Sequence, residues 1–474
     1  MIFDFQTYSE NTAVLDEFGM SLTYSALSDA GRRVMEAAGR RCLVFILCQN
    51  EIGALVGYTG LLNGGAVPLL LNSRQDGEAL AGLLRAYQPP FLWAPEDMLD
   101  AFPGMTPVYR AFGYALLRTG YETEYLLHPE LALLLTTSGS TGSPKFVRQS
   151  ERNIRANGES IASYLELNAS ERPITTLPMS YTYGLSIINS HLLTGGTLLV
   201  TEKSLTQREF WTFFRQAQAT SFGGVPYTYE MLDRMRFAKM DLPSLRTMTQ
   251  AGGKLSYTLH EKFAQYAQET GRRFVVMYGQ CEATARMAYL PPEKAVEKCG
   301  SMGIAIPGGR FHLIDGNGAP ITAPGVTGEL VYRGENVTLG YAERGEDLSK
   351  GDERGGILQT GDMAKFDEDG YYYITGRKKR FLKIYGNRVN LDEVDALVKE
   401  TFPALDCAST GVDDHLYVFI TDESRQAAVK EFLVHRTKLN PAAFHVTALE
   451  KIPKNDSGKT LYRELDVRAV GGGE

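Results

Sequence analysis

An unbroken apolar run at residues 42–48, CLVFILC, limits the folds open to this chain more than any other segment. A strand with one face in water alternates apolar and polar residues, so a continuous apolar run predicts a strand covered on both faces, as in a parallel sheet. A helical pattern from about Gly53 follows and stops at Gly64, and a second apolar run occupies residues 66–71. Strand, helix and strand in this order predict βαβ units and an α/β fold.

The same alternation continues to about residue 280 and predicts two successive α/β layers. The predicted strands are residues 91–94, 131–135, 196–200, 221–226 and 274–277, and helices are predicted around 80–87, at 209–218 and after the N-cap Thr23. From about residue 282 to 374 short β runs are broken by Gly, Pro and Asp, which predicts a small β subdomain with a hairpin at 311–318. A helix at 391–400 and a strand at 416–420 predict a small C-terminal α+β domain.

Residues 52–71 contain no charged side chain over about the length that crosses a bilayer. The segment also contains Gly57, Gly60, Gly64, Gly65 and Pro68. A buried helix followed by a strand explains this composition better than a membrane span does. We therefore expect no membrane span.

Composition excludes several classes of protein. The 474 residues carry a net charge of −7, which argues against a bulk nucleic-acid binder, and the six basic residues among 376–388 do not change that expectation. Five cysteines form no CxxC pair, which favours a reduced, cytoplasmic protein. The first residues lack a basic region and a long apolar segment, so we expect no signal peptide.

A loop rich in hydroxyls and glycines follows the apolar run 131–135 directly. Gly139 and Gly142 allow the backbone to turn sharply around an anion, hydroxyl groups can donate to it, and Lys145 adds a full positive charge. In an open α/β sheet, ligands bind where strands end in such loops. The spacing is not that of a Walker loop or of a nucleophile elbow. Taken alone, the loop fits a polyphosphate site and a solvated Ser/Gly loop about equally well.

Four further motifs follow this loop in order: residues 278–282 (YGQCE), 328–331 (GELV) with 340–341 (GY), 360–362 (TGD) with 376–377 (GR), and 453–459 (PKNDSGK). Together with the loop they resemble the AMP-forming adenylating superfamily, which includes acyl- and aryl-CoA ligases and stand-alone adenylation domains. The resemblance implies an AMP-forming acid–thiol ligase that uses ATP and Mg²⁺. It also implies a large N-terminal domain of two α/β layers plus a small β subdomain, followed by a small mobile α+β C-terminal domain.

The resemblance assigns roles to residues that match the motifs. Glu282 is the implied Mg²⁺ ligand, and Tyr278 stacks on adenine. Asp362 holds the ribose, and Arg377 assists at the ribose and the phosphate. Lys459 is the catalytic lysine that bridges the acid and the α-phosphate. The implied ATP-binding set is Thr137, Ser138, Gly139, Ser140, Thr141, Gly142, Lys145, Gly252, Gly253, Tyr278, Gly279, Gln280, Asp362, Arg377 and Lys459. Cys281 stands where the family usually has threonine, which removes a hydroxyl beside Glu282.

The resemblance also divides the chain. It implies an N-terminal ATP- and acid-binding domain at 1–376, a hinge at 377–380 and a C-terminal lid domain at 381–474. Lys379 aligns with the hinge. Lys383 and Gly386 lie in the stretch that the family presents to the active site for thioester formation.

The predicted acid pocket mixes aromatic and polar side chains: Tyr181, Tyr183, Ser186, Asn189, Val225, Pro226 and Tyr227. No Asp or Glu lies between residues 177 and 193 to pair an ammonium, so an uncharged carbon skeleton is favoured. Aryl, hydroxylated and short to medium aliphatic acids all fit. The acyl acceptor is the thiol of CoA or, as the alternative, the phosphopantetheine arm of an acyl carrier protein. A non-catalytic nucleotide-binding protein of the same fold is a third interpretation.

Overall fold

The computed structural model describes residues 2–136, 145–385, 387–454, 460–462 and 464–465, without the side chains of residues 379, 387 and 388. Its contacts divide the chain into two compact units. The first unit comprises Met1–Arg310 and Tyr332–Leu358, and the second comprises Phe311–Val331 and Gln359–Glu474.

The described residues form α-helices and β-strands. The helices are α1 (Tyr24–Ala38), α2 (Ile52–Asn63), α3 (Gly77–Tyr87), α4 (Glu151–Tyr164), α5 (Thr182–Leu193), α6 (Arg208–Gln216), α7 (Pro226–Arg234), α8 (Tyr257–Glu269), α9 (Leu391–Thr401) and α10 (Gln426–Thr437). The strands are β1 (Thr12–Asp16), β2 (Ser21–Thr23), β3 (Leu43–Cys48), β4 (Val67–Asn72), β5 (Phe91–Pro95), β6 (Thr106–Ala111), β7 (Tyr114–Arg118), β8 (Leu131–Thr136), β9 (Phe146–Ser150), β10 (Leu198–Val200), β11 (Ser221–Gly224), β12 (Thr247–Gln250), β13 (Arg273–Tyr278), β14 (Ala288–Tyr289), β15 (Ile304–Ala305), β16 (Arg310–Ile314), β17 (Pro320–Ile321), β18 (Gly328–Arg333), β19 (Gly340–Ala342), β20 (Ile357–Phe366), β21 (Tyr372–Arg377), β22 (Phe381–Ile384), β23 (Asn387–Asn390), β24 (Cys407–Val412), β25 (His415–Ile420) and β26 (Phe444–Ala448).

The first α/β layer is an eight-stranded sheet with the order β19-β9-β8-β4-β3-β5-β7-β6. Strands β8, β4, β3 and β5 run parallel at its centre, and β9 and β7 pair antiparallel on either side of them. Every residue of β3 is buried. The interpretation of the apolar run as a strand covered on both faces is therefore confirmed.

Helix α1 begins after the predicted N-cap, because the Thr23 side chain accepts a hydrogen bond from the backbone N–H of Ala26. Helix α2 is buried from Ile52 to Leu62 and ends at Asn63, before Gly64. The two helices meet at Gly31 and Gly60, where a Cβ atom on either glycine would collide with the backbone of the other. Across the part of the chain that the structure describes, every helix falls short of the length and apolar character needed to cross a membrane.

The second α/β layer contains parallel strands β11, β12 and β13, extended by the short antiparallel strands β14 and β15. Part of the segment 282–374 thus extends the α/β layers, and β19 likewise joins the edge of the eight-stranded sheet. These strands are so short that the sequence pattern does not predict the strands with which they pair. Strand β10 pairs parallel with β1 in a separate three-stranded sheet with β2.

Another five-stranded sheet has the order β17-β16-β18-β20-β21, and the predicted hairpin is confirmed by the pairing of Leu313 with Ile321. In the second unit the hairpin β22–β23 precedes α9. A three-stranded sheet follows, in which β24 and β25 come before α10 in the chain and β26 comes after it. The helix and strand predicted near residues 391 and 416 are confirmed as α9 and β25.

The compact units group residues 359–376 with the C-terminal residues, whereas the sequence assigned them to the N-terminal domain. The hinge at 377–380 stays a prediction.

Candidate active site

Several predicted site residues lie together because three parallel strands end at one edge. Gly224 pairs with Gln250 and Gln250 with Val276, so β11, β12 and β13 are in register. The residues that follow these positions are Val225, the segment 251–253 and, at the end of β13, Tyr278. The carboxyl edge of parallel strands is where open α/β sheets bind ligands.

Tyr181 precedes α5 and reaches this edge. Gly252 has a φ of +85°, and a Cβ atom there would lie 2.7 Å from the Tyr181 hydroxyl and 3.0 Å from Cγ1 of Val225. A Cβ atom on Gly253 would lie 3.1 Å from Cγ of Pro226. Because Gly252 and Gly253 have no side chain, the backbone predicted to lie beside the adenine can approach the predicted acid-pocket residues closely.

Tyr183 belongs to the same group. Its ring meets Tyr181 edge-on, with centroids 6.4 Å apart, and its hydroxyl lies 2.8 Å from Oγ1 of Thr249. Burial raises the pKa of Tyr183 to about 12, so the phenol is neutral at ordinary pH. Ser186 donates to the backbone oxygen of Tyr183 at 2.7 Å. The structure thus brings together Tyr181, Tyr183 and Ser186.

Two predicted pocket residues have other surroundings. Asn189 is buried and accepts a hydrogen bond from the Tyr58 hydroxyl at 2.8 Å, within the helical core of the first unit. Tyr227 is 54% exposed on α7. Their pocket roles stay predictions.

Glu282 lies in a single helical turn, Cys281–Ala283, and is held by contacts from a distant part of the first unit. Its Oε1 accepts a 2.7 Å hydrogen bond from the Tyr341 hydroxyl. Its backbone oxygen accepts from the backbone N–H of Thr338 at 3.0 Å and from Nη1 of Arg354 at 2.9 Å. Burial, and then the charge of Glu282, raise the pKa of Tyr341, so this phenol is a neutral donor.

Lys145 approaches the same tyrosine. Its Nζ lies 5.4 Å from the centroid of the Tyr341 ring and 3.1 Å from Oε1 of Glu343. The Arg354 guanidinium also lies over this ring, 4.6 Å from its centroid. The predicted phosphate-binding lysine and the predicted metal-binding carboxylate are therefore joined through one aromatic residue.

The surroundings of Glu282 fit a magnesium ion bound mainly by phosphate and water. Mg²⁺ is commonly held by one or two carboxylates plus substrate phosphates. Groups of three or more metal-binding side chains are absent from the described residues, so an all-protein cage is not formed there. Glu282 is only half-buried, and the hydrogen bond from Tyr341 occupies just one of its carboxylate oxygens.

Gly279 is required by packing. A Cβ atom at this position would collide with the backbone oxygen of Ala285. Gln280 donates from Nε2 to the Tyr278 hydroxyl at 3.2 Å, which orients the predicted adenine-stacking ring. Cys281, the departure from the family motif, is buried.

Asp362 and Arg377 form a pair in the second unit. They are opposite each other in the antiparallel register of β20 and β21, and the Arg377 Nε lies 3.6 Å from Oδ1 of Asp362. Asp362 is buried. Beside them, Nζ of Lys378 lies 2.6 Å from Oε2 of the buried Glu329. The two predicted ribose ligands are thus adjacent.

Other predicted residues fall outside the description. Thr137, Ser138, Gly139, Ser140, Thr141, Gly142, Gly386 and Lys459 lie outside the described residues, as does the side chain of Lys379. Lys383 is exposed in β22, and its backbone N–H donates to Asp413 at 2.8 Å.

Sequence reasoning missed three polar residues around this site. Tyr341 entered the sequence analysis only as part of the motif 340–341, without a predicted contact. Its hydrogen bond to Glu282 joins two residues that are 59 positions apart in the chain. Arg354 and the buried Arg286 were not singled out. Neither arginine lies in a motif or a periodic pattern that would have revealed it.

Comparisons with known proteins give a family for this chain and solved structures of similar fold. The family model described as AMP-binding enzyme matches residues 4–342. The indoleacetate–CoA ligase of Aromatoleum aromaticum is 30% identical, over 95% of this chain and 93% of the relative. The solved o-succinylbenzoate CoA synthetase of Bacillus subtilis with an acyl-adenylate superposes with a TM-score of 0.79 at 22% identity, covering 97% of this chain and 96% of that one.

A second solved structure of the Bacillus subtilis synthetase, in complex with ATP and magnesium ion, has a TM-score of 0.79 and 20% identity, with coverage of 97% and 98%. At these identities the solved structures establish the fold, and the predicted fold class is confirmed. The family match and the indoleacetate–CoA ligase confirm the predicted class of enzyme, an AMP-forming acid–thiol ligase. The chain therefore belongs to the AMP-binding enzyme family, within the AMP-forming adenylating superfamily that its motifs indicated.

Proposed function

We propose that the protein activates a carboxylic acid with ATP and transfers the acyl group to the thiol of CoA. In the first step a carboxylate oxygen attacks the α-phosphorus, and pyrophosphate leaves as acyl-AMP forms. In the second step the thiol sulfur attacks the acyl carbon, loses its proton and displaces AMP. The two steps together consume one carboxylic acid, one ATP and one thiol and produce AMP, pyrophosphate and a thioester.

The observation that carries this proposal is the convergence of Lys145 and Glu282 on Tyr341. The first step brings a carboxylate to a polyanion, so the site needs positive charge, a metal-binding carboxylate and fixed positions for both. Lys145 supplies the charge and Glu282 the metal-binding oxygen. When Mg²⁺ is bound, it neutralises charge on the phosphate oxygens.

The remaining ATP contacts follow the predicted roles. Residues 137–142 and Lys145 would hold the leaving pyrophosphate. Tyr278, Gly252, Gly253, Gly279 and Gln280 would surround the adenine, which agrees with their position at the carboxyl edge of β12 and β13. Asp362 and Arg377 would hold the ribose, and Lys459 would bridge the reacting carboxylate and the α-phosphate.

The acid would enter beside Tyr181 and Tyr183, with Ser186, Asn189, Val225, Pro226 and Tyr227 as further predicted wall residues. The wall segment 177–193 has no carboxylate, so a buried ammonium would have no partner there. We therefore propose an acid without an ammonium group. The similarity to an indoleacetate–CoA ligase supports an organic acid substrate and CoA as the acceptor.

The alternative acceptor is the phosphopantetheine arm of an acyl carrier protein. The exposed Lys383 would suit the phosphates of CoA and an acidic carrier protein alike. An experiment distinguishes the two acceptors: CoA and a holo carrier protein are added in parallel to reactions that already form acyl-AMP, and thioester formation is measured with each.

The proposal is tested by ATP–pyrophosphate exchange and hydroxamate trapping over a panel of aryl, hydroxylated and aliphatic acids with Mg²⁺. We expect exchange with at least one acid class, followed by thioester formation on addition of CoA. The variant Lys459→Ala should lower exchange by about 10²–10³-fold, with ATP binding retained, since one charge at the reacting centre is lost. Absence of exchange with every acid would favour a non-catalytic nucleotide-binding protein.

A further inference from the structure

Arg286 is a buried cation in the predicted acid pocket. It is 3% exposed, and its Nε donates to Oγ of Ser186 at 3.1 Å. Its guanidinium carbon lies 5.2 Å from the centroid of the Tyr183 ring. Both neighbours belong to the set of pocket residues predicted from the sequence. Arg286 therefore places a positive charge against the wall that would surround the acid.

The backbone of Arg286 is anchored at its N–H and at its carbonyl oxygen, which fixes the point from which the side chain extends. Its N–H donates to Oδ1 of Asn157 at 3.4 Å. Its carbonyl oxygen accepts from Nδ2 of Asn157 at 2.9 Å and from Nδ2 of Asn336 at 3.1 Å. A guanidinium on such a support is a preorganised binding group.

The other contacts of the Arg286 guanidinium are neutral. Nη1 donates to the Tyr164 hydroxyl and to Sδ of Met277, both at 3.2 Å. Burial raises the pKa of both Tyr164 and Tyr183, so neither phenol supplies a negative charge. Glu282, four positions earlier, directs its carboxylate to Tyr341.

This lack of a counter-charge is unusual within the chain. Three arginines are buried among the residues that the structure describes: Arg148, Arg286 and Arg380. Arg148 lies 2.6 Å from a carboxylate oxygen of Glu353, and Arg380 lies 2.9 Å from one of Asp395. In that part of the chain Arg286 has no carboxylate within ion-pair distance. A buried charge without a partner is costly, so an anion supplied by a ligand would relieve the cost.

The reacting carboxylate of the substrate cannot be that anion throughout the reaction. It becomes a neutral acyl group when it is joined to the α-phosphate, and it must lie at the nucleotide to react. A second carboxylate on the same acid would keep its charge through both steps. Nε and Nη1 of Arg286 already donate to neutral groups, which leaves Nη2 to donate a charge-assisted hydrogen bond to that carboxylate.

We propose that the substrate is a dicarboxylic acid and that Arg286 binds its non-reacting carboxylate. This inference rests on the proposed function and names the substrate class of the same site. It departs from the sequence-based expectation of an uncharged skeleton: the argument against an ammonium stands, but the buried guanidinium gives a reason for a negative charge on the skeleton.

The test compares matched pairs of acids in ATP–pyrophosphate exchange, where a methyl group replaces one carboxylate. Suitable pairs are succinate with butyrate, glutarate with valerate, and isophthalate with 3-methylbenzoate. We expect kcat/KM for the preferred dicarboxylate to exceed that for its matched monocarboxylate by about 10²-fold, the cost of leaving a buried charge unpaired.

Arg286→Met should remove this preference, with a loss of about 10²-fold on the dicarboxylate and little change on the monocarboxylate. Arg286→Lys keeps the charge but loses the planar fork, so its preference should be intermediate. The matched control is Arg172→Met, because Arg172 donates to the backbone oxygen of Ala217 near the start of β11, at the opposite edge of the sheet. This control should keep the wild-type ratio.

The outcomes separate the two proposals. Exchange that favours monocarboxylates in the wild type, or a ratio that Arg286→Met leaves unchanged, overturns the dicarboxylate inference and leaves the proposed function in place. Absence of exchange with both members of every pair, together with no exchange over the wider acid panel, overturns the proposed function. If the melting temperature shows that Arg286→Met does not fold, the dicarboxylate inference is tested by the ratio of the two kcat/KM values in the wild type and in Arg286→Lys.

Discussion

At the scale of single residues, the Tyr341 hydroxyl is the contact that positions Glu282. The phenol is neutral and donates at 2.7 Å to a carboxylate, which is a charge-assisted hydrogen bond. Tyr341 does not belong to the predicted set of ATP ligands. Its effect on the reaction would be to orient the oxygen that binds the metal.

We predict that Tyr341→Phe lowers kcat/KM for pyrophosphate exchange by about 10-fold and raises the Mg²⁺ concentration needed for half-maximal rate. The ring and its contacts with cationic groups would remain. The measurement is exchange as a function of Mg²⁺ concentration. The control Tyr24→Phe removes a buried hydrogen bond to the backbone oxygen of Gly196 and should leave the Mg²⁺ dependence unchanged. An unchanged Mg²⁺ dependence in Tyr341→Phe would contradict the positioning role.

The site could be predicted from the sequence only where its residues belong to contiguous motifs. Glu282 and Tyr278 were assigned predicted roles in this way, because they lie in one short motif of recognisable spacing. Arg286 depends on Ser186, 100 residues away, and Glu282 depends on Tyr341, 59 residues away. Such contacts are formed by the tertiary fold, and no local pattern encodes them.

At the scale of elements, the crossing of α1 and α2 is set by two glycines. We predict that Gly60→Ala lowers the free energy of unfolding by about 1–3 kcal/mol, because the added methyl group would collide with the backbone of Gly31. Gly82→Ala is the matched control within a helix. The nearest atom there is 4.0 Å away, so this change should stabilise the protein by about 0.5–1 kcal/mol through lower backbone entropy in the unfolded chain. Urea denaturation measures both; equal effects of the two substitutions would refute the close crossing.

Two buried histidines on helices make the stability depend on pH. Burial lowers the pKa of His191 on α5 and of His260 on α8 to about 4, from 6.5. Below pH 6.5 the unfolded chain therefore binds protons that the folded chain does not, and stability is lost as the pH falls towards 4. Each histidine would cost about 3 kcal/mol at pH 4.

We predict that His191→Met makes the fall in melting temperature between pH 6.5 and pH 4.5 shallower than in the wild type. The substitution also removes the hydrogen bond between Nδ1 and the Ile187 oxygen, so the variant should be less stable at pH 7.5. The titration of His191 is therefore tested only by the slope of melting temperature against pH. A slope equal to that of the wild type would show that His191 does not carry the predicted pH dependence.

Helices and strands with strong patterns were predicted well. The run that became β3 is apolar throughout, and α3, the helix predicted around residues 80–87, buries Leu80, Leu83, Leu84 and Tyr87 on one face. The short strands β14, β15 and β19 have two or three residues each, so their sheet partners depend on long-range pairing. Their assignment to the earlier sheets could not be predicted from local pattern.

At the scale of the whole molecule, the chain forms two compact units, and the superfamily implies a hinge near Lys379. We predict that Lys379→Pro spares acyl-AMP formation and slows thioester formation, because proline fixes φ at the residue that must rotate between the two steps. Lys379→Ala is the control, since it keeps backbone freedom and should spare both steps. Single-turnover assays measure each step separately, and equal loss of both steps in a folded proline variant would place the hinge elsewhere.

The pairing of Thr136 with Phe146 joins the last residue of β8 to the first residue of β9, and the predicted phosphate-binding loop connects these two strands. The eight-stranded sheet therefore holds the two residues that flank this segment side by side. An engineer who varies this segment in a library could therefore keep Thr136 and Phe146 as constant anchors in every variant.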